Sequence, residues 1–425
     1  MTTAASALWR NYLVRARWYQ GKGLPVDEFT ITALPWVVEG PVSVRSELAH
    51  VTTGTTTETY HLLVGYLPAG TAEPAGLVGQ AEVPGLGVVD VVDAPRSPTA
   101  LRAWLGGLAA TPGMRWLEAP PDPASPTKVF PGEQSNTTVR IGDGVLFKLF
   151  RRLSPGPNLE AEMLSRLARS GITPRLIGSY STPDGALDLG IFCERIPDAR
   201  DGWAYCVDAC RAGQPVTAEM TALGSTLRRL HAALAEAYGW TSLDATALSG
   251  QMLQRLDAAT GQVAELAEWR DELRAILDLP PGAVAIQRVH GDFHLGQALV
   301  SPSGWRIIDF EGEPLKTPAE RRAPDAVWRD VAGLTRSLDY ARSAHPDPTG
   351  EGVRRWLGQA RAAFLRGYLG DTPLPTALLT AYEVDKAIYE LVYEVRNRPT
   401  WAAIPRGALA EAIAASLQGG RHLPG

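Results

Sequence analysis

Residues 290–314 read HGDFHLGQALVSPSGWRIIDFEGEP. Two short apolar runs around Pro302-Ser303 read as strand, turn and strand. Polar groups gather on both sides of this unit: His290, Asp292, His294 and Gln297 before it, Asp309, Glu311 and Glu313 after it. A polar surface hairpin would account for the composition. Carboxylates assembled to hold cations against phosphates would account for the spacing. Asp292 stands five residues before Gln297, the offset of a proton-accepting carboxylate from an amide oxygen that takes a hard cation. Asp309 follows Ile307 and Ile308, so a strand end delivers its carboxylate. His290 and His294 are four apart but lack the glutamate of a zinc-binding H-E-x-x-H helix. Histidines that brace the loop by hydrogen bonding are the simpler reading, with His290 kept as a candidate substrate contact.

Upstream, TTVRIGDGVLFKLFRRL (137–153) reads as two strands joined by a Gly-Asp-Gly turn. Lys148 stands among apolar residues in mid-strand, either as a surface lysine on an edge strand or facing an anion. Fourteen residues later Glu162 falls in the first turns of the helix NLEAEMLSRLARSG. A strand lysine steadied by a helix glutamate is how kinases orient the α- and β-phosphates of ATP. No G-x-G-x-x-G precedes the hairpin; Ser135, Asn136 and Thr137 stand there instead. They form a plain polar turn, or a set of hydroxyl, amide and backbone N–H donors for phosphate oxygens. FCERI (192–196) falls where two lobes would hinge, and the backbone from Glu194 to Ile196 would meet the adenine edge. No single residue decides the matter, but their order does. Lys148 and Glu162 for phosphates, Asp292 as base, Gln297 and Asp309 as Mg2+ ligands, and Glu311 for a second cation fall in the order phosphoryl transfer requires.

The chain has 425 residues, 45% hydrophobic and 20% charged, enough for two or three domains with a large core. A net charge of −5 carries no footprint of nucleic-acid binding. Cys193, Cys206 and Cys210 lack metal-like spacing and read as reduced thiols of a cytoplasmic protein. The first residues are broken by arginines and carry no signal-peptide core, and no apolar run is long enough to span a membrane. Residues 1–90 form a small α+β cap subdomain, with strands in FTITALPWVV, VSVRSELAHVTT and TETYHLLVGYL. Residues 91–200 hold an intermediate region, with the proline-rich run APPDPASPT (119–127) as a linker or surface crossing, and a small nucleotide-binding lobe. Residues 201–425 are mainly helical and contain the loop quoted first. The expected fold class is α+β, strand-rich lobe before helical lobe, with a cleft between.

The central block HGDFHLGQALVSPSGWRIIDFEGEP, with ERRAPDAVWRDVAGLTRSLDYA, resembles the actinobacterial maltokinases, relatives of the aminoglycoside phosphotransferases in the protein-kinase-like superfamily. RWYQGKG, EQSNTTV, LFKLFRRLSPGPN, DGWAYC and DKAIYELVYEVRNRPTWAAIP extend the likeness over nearly the whole chain. The resemblance implies a two-lobed kinase fold with an N-terminal cap. It also implies transfer of the ATP γ-phosphate to the anomeric hydroxyl of maltose for α-glucan synthesis. It places the phosphate loop on Gln134–Thr137, the lysine on Lys148, the glutamate on Glu162, the base on Asp292 and metal ligands on Gln297 and Asp309. Lys386, Tyr389, Glu390 and Tyr393 share one helix face by spacing alone, which also suits an amphipathic helix with tyrosines in the core. The resemblance turns that face into a sugar pocket. Trp401 lies just beyond it, and Trp203 either lines the cleft or packs under the hinge. Arg322 either contacts sugar or pairs with Asp325 or Asp330. Association with a trehalose–maltose interconverting enzyme is a further implication. Kinases of glucosamine, other monosaccharides or aminoglycosides are the alternative within the superfamily. A non-catalytic nucleotide-binding module is the alternative outside catalysis.

Overall fold

The computed structural model describes residues 3–130, 135–313 and 316–419. The chain divides into two compact units, one of residues 1–168 with 174–197 and one of residues 169–173 with 198–425.

The first unit contains two antiparallel sheets. In the first, neighbouring strands run in the order Glu28–Val38, Ser43–Thr53, Thr56–Pro68, Gly87–Asp93, Leu77–Val83, with Arg152–Leu153 added beside Thr56–Pro68. Of the three strands marked by β-branched and aromatic residues, Glu28–Val38 alternates in part between half-buried and exposed positions, whereas Ser43–Thr53 is mostly buried and Thr56–Pro68 is buried without a break from Tyr60 to Leu67. Trp9 of the Thr3–Leu13 helix packs with Tyr60, Leu62, Val64, Tyr66 and Val91 in the buried layer. The hairpin formed by Leu77–Val83 and Gly87–Asp93 was not foreseen, because its glycine-rich turn leaves little alternation to read.

The second sheet runs in the order Met114–Trp116, Leu176–Ser181, Asp188–Glu194, Val145–Phe150, Asn136–Ile141, Thr127–Val129. The expected hairpin is there, with Ile141 opposite Val145 across Gly142-Asp143-Gly144. Met114–Trp116 and Thr127–Val129 form the two opposite edges. The proline-rich run between them is therefore a crossing from edge to edge, not an interdomain linker. Five strand spacings of about 4.8 Å are within the reach of ten extended residues. The inner face is aromatic: Phe147 stacks on Phe192 with centroids 4.6 Å apart, and Trp104 meets Phe147 at 4.7 Å.

The second unit is mostly helical. Helices Thr217–Tyr238 and Glu351–Leu369 approach at the level of their backbones. A Cβ on Gly224 would lie 2.1 Å from the Phe364 carbonyl oxygen, and one on Gly367 would lie 2.0 Å from that of Thr221. Two short helices, Ala264–Glu268 and Arg270–Leu277, meet at Trp269. The strand–turn–strand unit is a hairpin of Ala298–Ser301 and Gly304–Ile307, with Gly304 at φ +99° closing the turn. No helix among the described residues is long and apolar enough to cross a membrane.

Candidate active site

In the first unit, strand alternation sets Lys148. Phe147 and Leu149 are fully buried in the aromatic face, so the lysine between them emerges on the other face. Its Nζ lies 2.6 Å from Glu160 Oε2. The expected partner was Glu162, and the correction follows from where the helix starts. Asn158 caps Leu159–Arg166, its Oδ1 accepting from the N–H groups of Glu160 and Ala161 at 2.9 and 3.1 Å. That cap puts Glu160 in the first turn on the sheet side. Glu162 sits two residues on, about 200° around the axis.

The phosphate-loop expectation also changes. Gln134 lies outside the described residues, and Ser135 is exposed. Asn136 and Thr137 open a buried strand and turn toward Arg151, not outward. Thr137 Oγ1 accepts from Arg151 Nε at 2.8 Å, and Asn136 Oδ1 from the Arg151 N–H at 3.4 Å. Arg151 is fully buried, and a charge there requires acceptors on every side. At the expected hinge, the N–H groups of Glu194 and Arg195 donate to the carbonyls of Arg175 and Gly144 at 2.9 and 2.8 Å. The Glu194 carboxylate holds Arg175 at 3.2 Å. Ile196 is buried.

In the second unit, the loop quoted first is held from beneath by Asp330. Its carboxylate accepts from the N–H groups of His290 and Gly291, both at 2.8 Å, and meets His231 Nε2 at 3.0 Å. These donors hold its carboxyl below the usual range against the opposing effect of burial, which is the larger single influence. His290 is 2% exposed, its ring beside Phe293 and Phe310 and its Nε2 donating to the Ile308 carbonyl at 2.9 Å. It is a strut between the two halves of the motif. Its burial corrects the substrate-contact expectation. His294 caps the 295–297 turn by accepting from the Gly296 N–H at 3.1 Å, which is bracing and not zinc ligation.

Gln297, Asp309 and Glu311 converge. Gln297 Nε2 lies 3.1 Å from Asp309 Oδ2, and carboxylate oxygens of Asp309 and Glu311 lie within 4.8 Å of one another. Two carboxylates and an amide whose oxygen turns in by rotation of its last torsion are hard donors of the kind magnesium takes. The residues present fit that ion.

Asp292 receives the second charge of the site. Lys386 Nζ lies 3.2 Å from Asp292 Oδ1 and 2.7 Å from Glu313 Oε1, and Lys316 holds the other Glu313 oxygen at 2.9 Å. Burial opposes both Lys386 and Glu313, yet their mutual attraction raises the ammonium well above its ordinary value and holds the carboxyl far below its own. Lys386 also sits over the Tyr389 ring, 4.9 Å from its centroid. Lys386, Tyr389, Glu390 and Tyr393 are all half-buried on the Thr376–Asn397 helix, whose neighbouring positions Ala387, Ile388, Leu391 and Val392 are core. Glu390 is tied to Arg336, its Oε2 accepting at 2.8 and 3.0 Å. Trp401 stacks on Tyr340 at 5.9 Å, and Trp203 is half-buried in the Gly202–Arg211 helix. The two acids weighed as partners of Arg322 hold other groups: Asp325 bonds Arg329 and Tyr382, and Asp330 bonds the loop. The Arg322 carbonyl accepts from Arg288 at 2.5 Å.

Glu160, Glu313 and Asp330 were missed as site residues. Glu313 stood in the quoted motif without a visible partner, since Lys386 comes 73 residues later.

The model of the Phosphotransferase enzyme family matches residues 126–313, and that of the Maltokinase N-terminal cap domain matches residues 12–96. A glucosamine kinase of Streptacidiphilus jiangxiensis is 31% identical over 323 residues, 67% of this chain and 73% of the relative. The chain belongs to the phosphotransferase enzyme family. A second glucosamine kinase, of Mycolicibacterium smegmatis, matches this phosphotransferase at 28% identity, over 65% of the chain and 77% of the relative. Among solved structures, a glucosamine kinase in complex with glucosamine, ADP and inorganic phosphate superposes with a TM-score of 0.67 at 23% identity, over 97% of this chain and 99% of that one. Another crystal form gives 0.68 at 24% identity, over 96% and 99%. The phosphotransferase therefore has the aminoglycoside-phosphotransferase-like kinase fold, mixed in α and β, preceded by a maltokinase-type cap.

Proposed function

We propose that this phosphotransferase is a sugar kinase that transfers the γ-phosphoryl group of ATP to the anomeric hydroxyl of maltose, giving maltose 1-phosphate and ADP. The observation that supports the reading is Asp292, whose carboxylate meets Lys386 on the lysine–tyrosine face of the Thr376–Asn397 helix at 3.2 Å and which shares its loop with Gln297, itself 3.1 Å from Asp309.

Asp292 accepts the proton of the acceptor hydroxyl as that oxygen bonds to the γ-phosphorus. The bond from that phosphorus to the bridging oxygen breaks, and ADP leaves with the electron pair. Lys148, steadied by Glu160, neutralises phosphate oxygens. With the N–H groups of Glu194 and Arg195 engaged, the Glu194 carbonyl and the Ile196 N–H are the backbone groups assigned to adenine. Gln297, Asp309 and Glu311 would hold magnesium, which when bound offsets charge on the phosphates. Tyr389 and Tyr393 offer ring faces to a disaccharide, and Lys386 and Glu390 bond its hydroxyls. The free thiols of Cys193, Cys206 and Cys210 suit a reducing cytoplasm.

The names of the relatives favour a second reading, glucosamine as acceptor. A coupled assay of ADP release over maltose, glucose, glucosamine and an aminoglycoside separates the two. Maltose should give the highest kcat/KM. Asp292→Ala should lower kcat by at least roughly 100-fold while nucleotide binding persists. A normal kcat in that variant removes Asp292 from its role, and ATP turnover with none of the sugars removes the reading.

A further inference from the structure

Acids next to the accepting hydroxyl are what a kinase of cationic amino sugars requires. This chain has them in Asp292 and Glu313, yet does not leave them to the substrate. Lys386 Nζ bonds both carboxylates, at 3.2 and 2.7 Å. Lys316 adds a second ammonium on Glu313 at 2.9 Å. Two carboxylates and two ammonium groups cancel. The side chain of Lys386 is 12% exposed, and that of Glu313 is 2% exposed, so solvent screens this cluster poorly.

We infer that Lys386, held in place by Glu313, is the specificity-determining residue that makes the acceptor a neutral sugar and rejects a 2-amino sugar. The inference rests on the sugar-kinase reading above. A hydroxyl bonded to the other oxygen of Asp292 lies within roughly 6 Å of Nζ. The substituent on carbon 2, next to the anomeric carbon, lies in the same neighbourhood. A hydroxyl there accepts a hydrogen bond from Lys386. An ammonium there faces the like charge of Lys386 across a poorly screened gap. Tyr389 limits where the ammonium can move, because the lysine already lies over that ring at 4.9 Å. Glu313 is the positioning residue, since it makes the shorter of the two bonds.

The test uses sugar pairs that differ only in hydroxyl against ammonium at carbon 2: glucose with glucosamine, and maltose with its 2-amino-2-deoxy analogue. In the full chain, kcat/KM should favour the neutral member of each pair by at least roughly tenfold at pH 7. Lys386→Met should narrow that preference at least tenfold, and Lys386→Arg should keep it. A second measurement needs no variant. An amine of ordinary α-amino character loses its proton at about 7.7–8.0. Discrimination by the unaltered enzyme should therefore relax between pH 7 and 9, while Lys386, raised well above its ordinary value, stays charged.

An unaltered enzyme that prefers the amino member overturns the inference and leaves the sugar-kinase reading intact. So does a preference unchanged both by pH and in an active Lys386→Met. If Lys386→Met is inactive or fails to fold, the pH measurement decides alone. Failure to phosphorylate any member overturns both.

Discussion

Asp309 has φ of +64°, and among the described residues only Asp198 shares a positive φ without being glycine. Aspartate tolerates this backbone better than most side chains, and here it turns the carboxylate toward Gln297. The motif revealed the residue and its neighbours, but not the backbone turn. Glu160 was hidden for a different reason: two glutamates in one turn are equivalent in a sequence until the cap fixes the helix phase. Asn136 and Thr137 read as open polar groups because their partner, Arg151, looks like one more basic residue in a strand end. A single residue also carries a pH dependence. His61 is fully buried, with Nε2 2.8 Å from Ser46 Oγ and Nδ1 3.2 Å from the Leu189 carbonyl. Burial, with Arg151 nearby, pushes its pKa down to about 3. The folded chain keeps the ring neutral, whereas the unfolded chain protonates it below about 6.5. Stability from this group is therefore complete above pH 6.5 and falls as pH drops toward 3, by about 1.4 kcal/mol per unit. Urea unfolding at pH 7 and pH 5 should show wild type losing about 2 kcal/mol more than His61→Gln. Equal losses would mean the ring is protonated in the folded state.

Helices were the easiest elements to read, because apolar residues recur along them with a period near 3.6. Their partners were not legible. Nothing in LGSTLRRL or FLRGYLG says that Gly224 and Gly367 face each other's helices, since a glycine inside a helix reads only as a weak point. The structure gives the reason for both: the backbones meet where a methyl group has no room. Gly367→Ala should cost about 1–3 kcal/mol by forcing the helices apart, against the gain in helix propensity that alanine otherwise brings. Gly407, in the Ala403–Gly419 helix, has open space where a Cβ would be. Gly407→Ala should be neutral or stabilise by up to about 1 kcal/mol. Denaturant midpoints of the two variants check the argument. If Gly367→Ala is no less stable than wild type, the close approach is not what holds this pair.

The chain's two family matches, 12–96 and 126–313, suggest separable modules, and the cap was expected to stand as its own subdomain. Inside the first unit, buried bonds tie the cap sheet to the second sheet. Asp93 ends the last strand of the cap sheet, and Arg151 leaves the central hairpin of the second sheet. The pair is fully buried, with Nη2 2.9 and 3.0 Å from the two carboxylate oxygens. Tyr12 donates to the same carboxylate at 2.8 Å, and Trp18 lies 4.7 Å from the guanidinium. The backbone joins as well: the His61 N–H donates to the Arg151 carbonyl at 2.7 Å, and Arg152 and Leu153 extend the cap sheet beside Tyr60 and Thr59. A buried ion pair adds little over apolar packing, but losing one partner strands the other charge. Asp93→Ala should therefore destabilise the first unit by about 3–5 kcal/mol. Adding Arg151→Met to Asp93→Ala should recover a large part of that loss, because no charge is then left behind. Urea unfolding of the full chain measures both. A cost below about 1 kcal/mol for Asp93→Ala, with no recovery in the double variant, would show that apolar packing alone joins the sheets. On the bonding described, a chain beginning after residue 96 loses the carboxylate that Arg151 needs, so the cap and the nucleotide sheet should unfold in one transition.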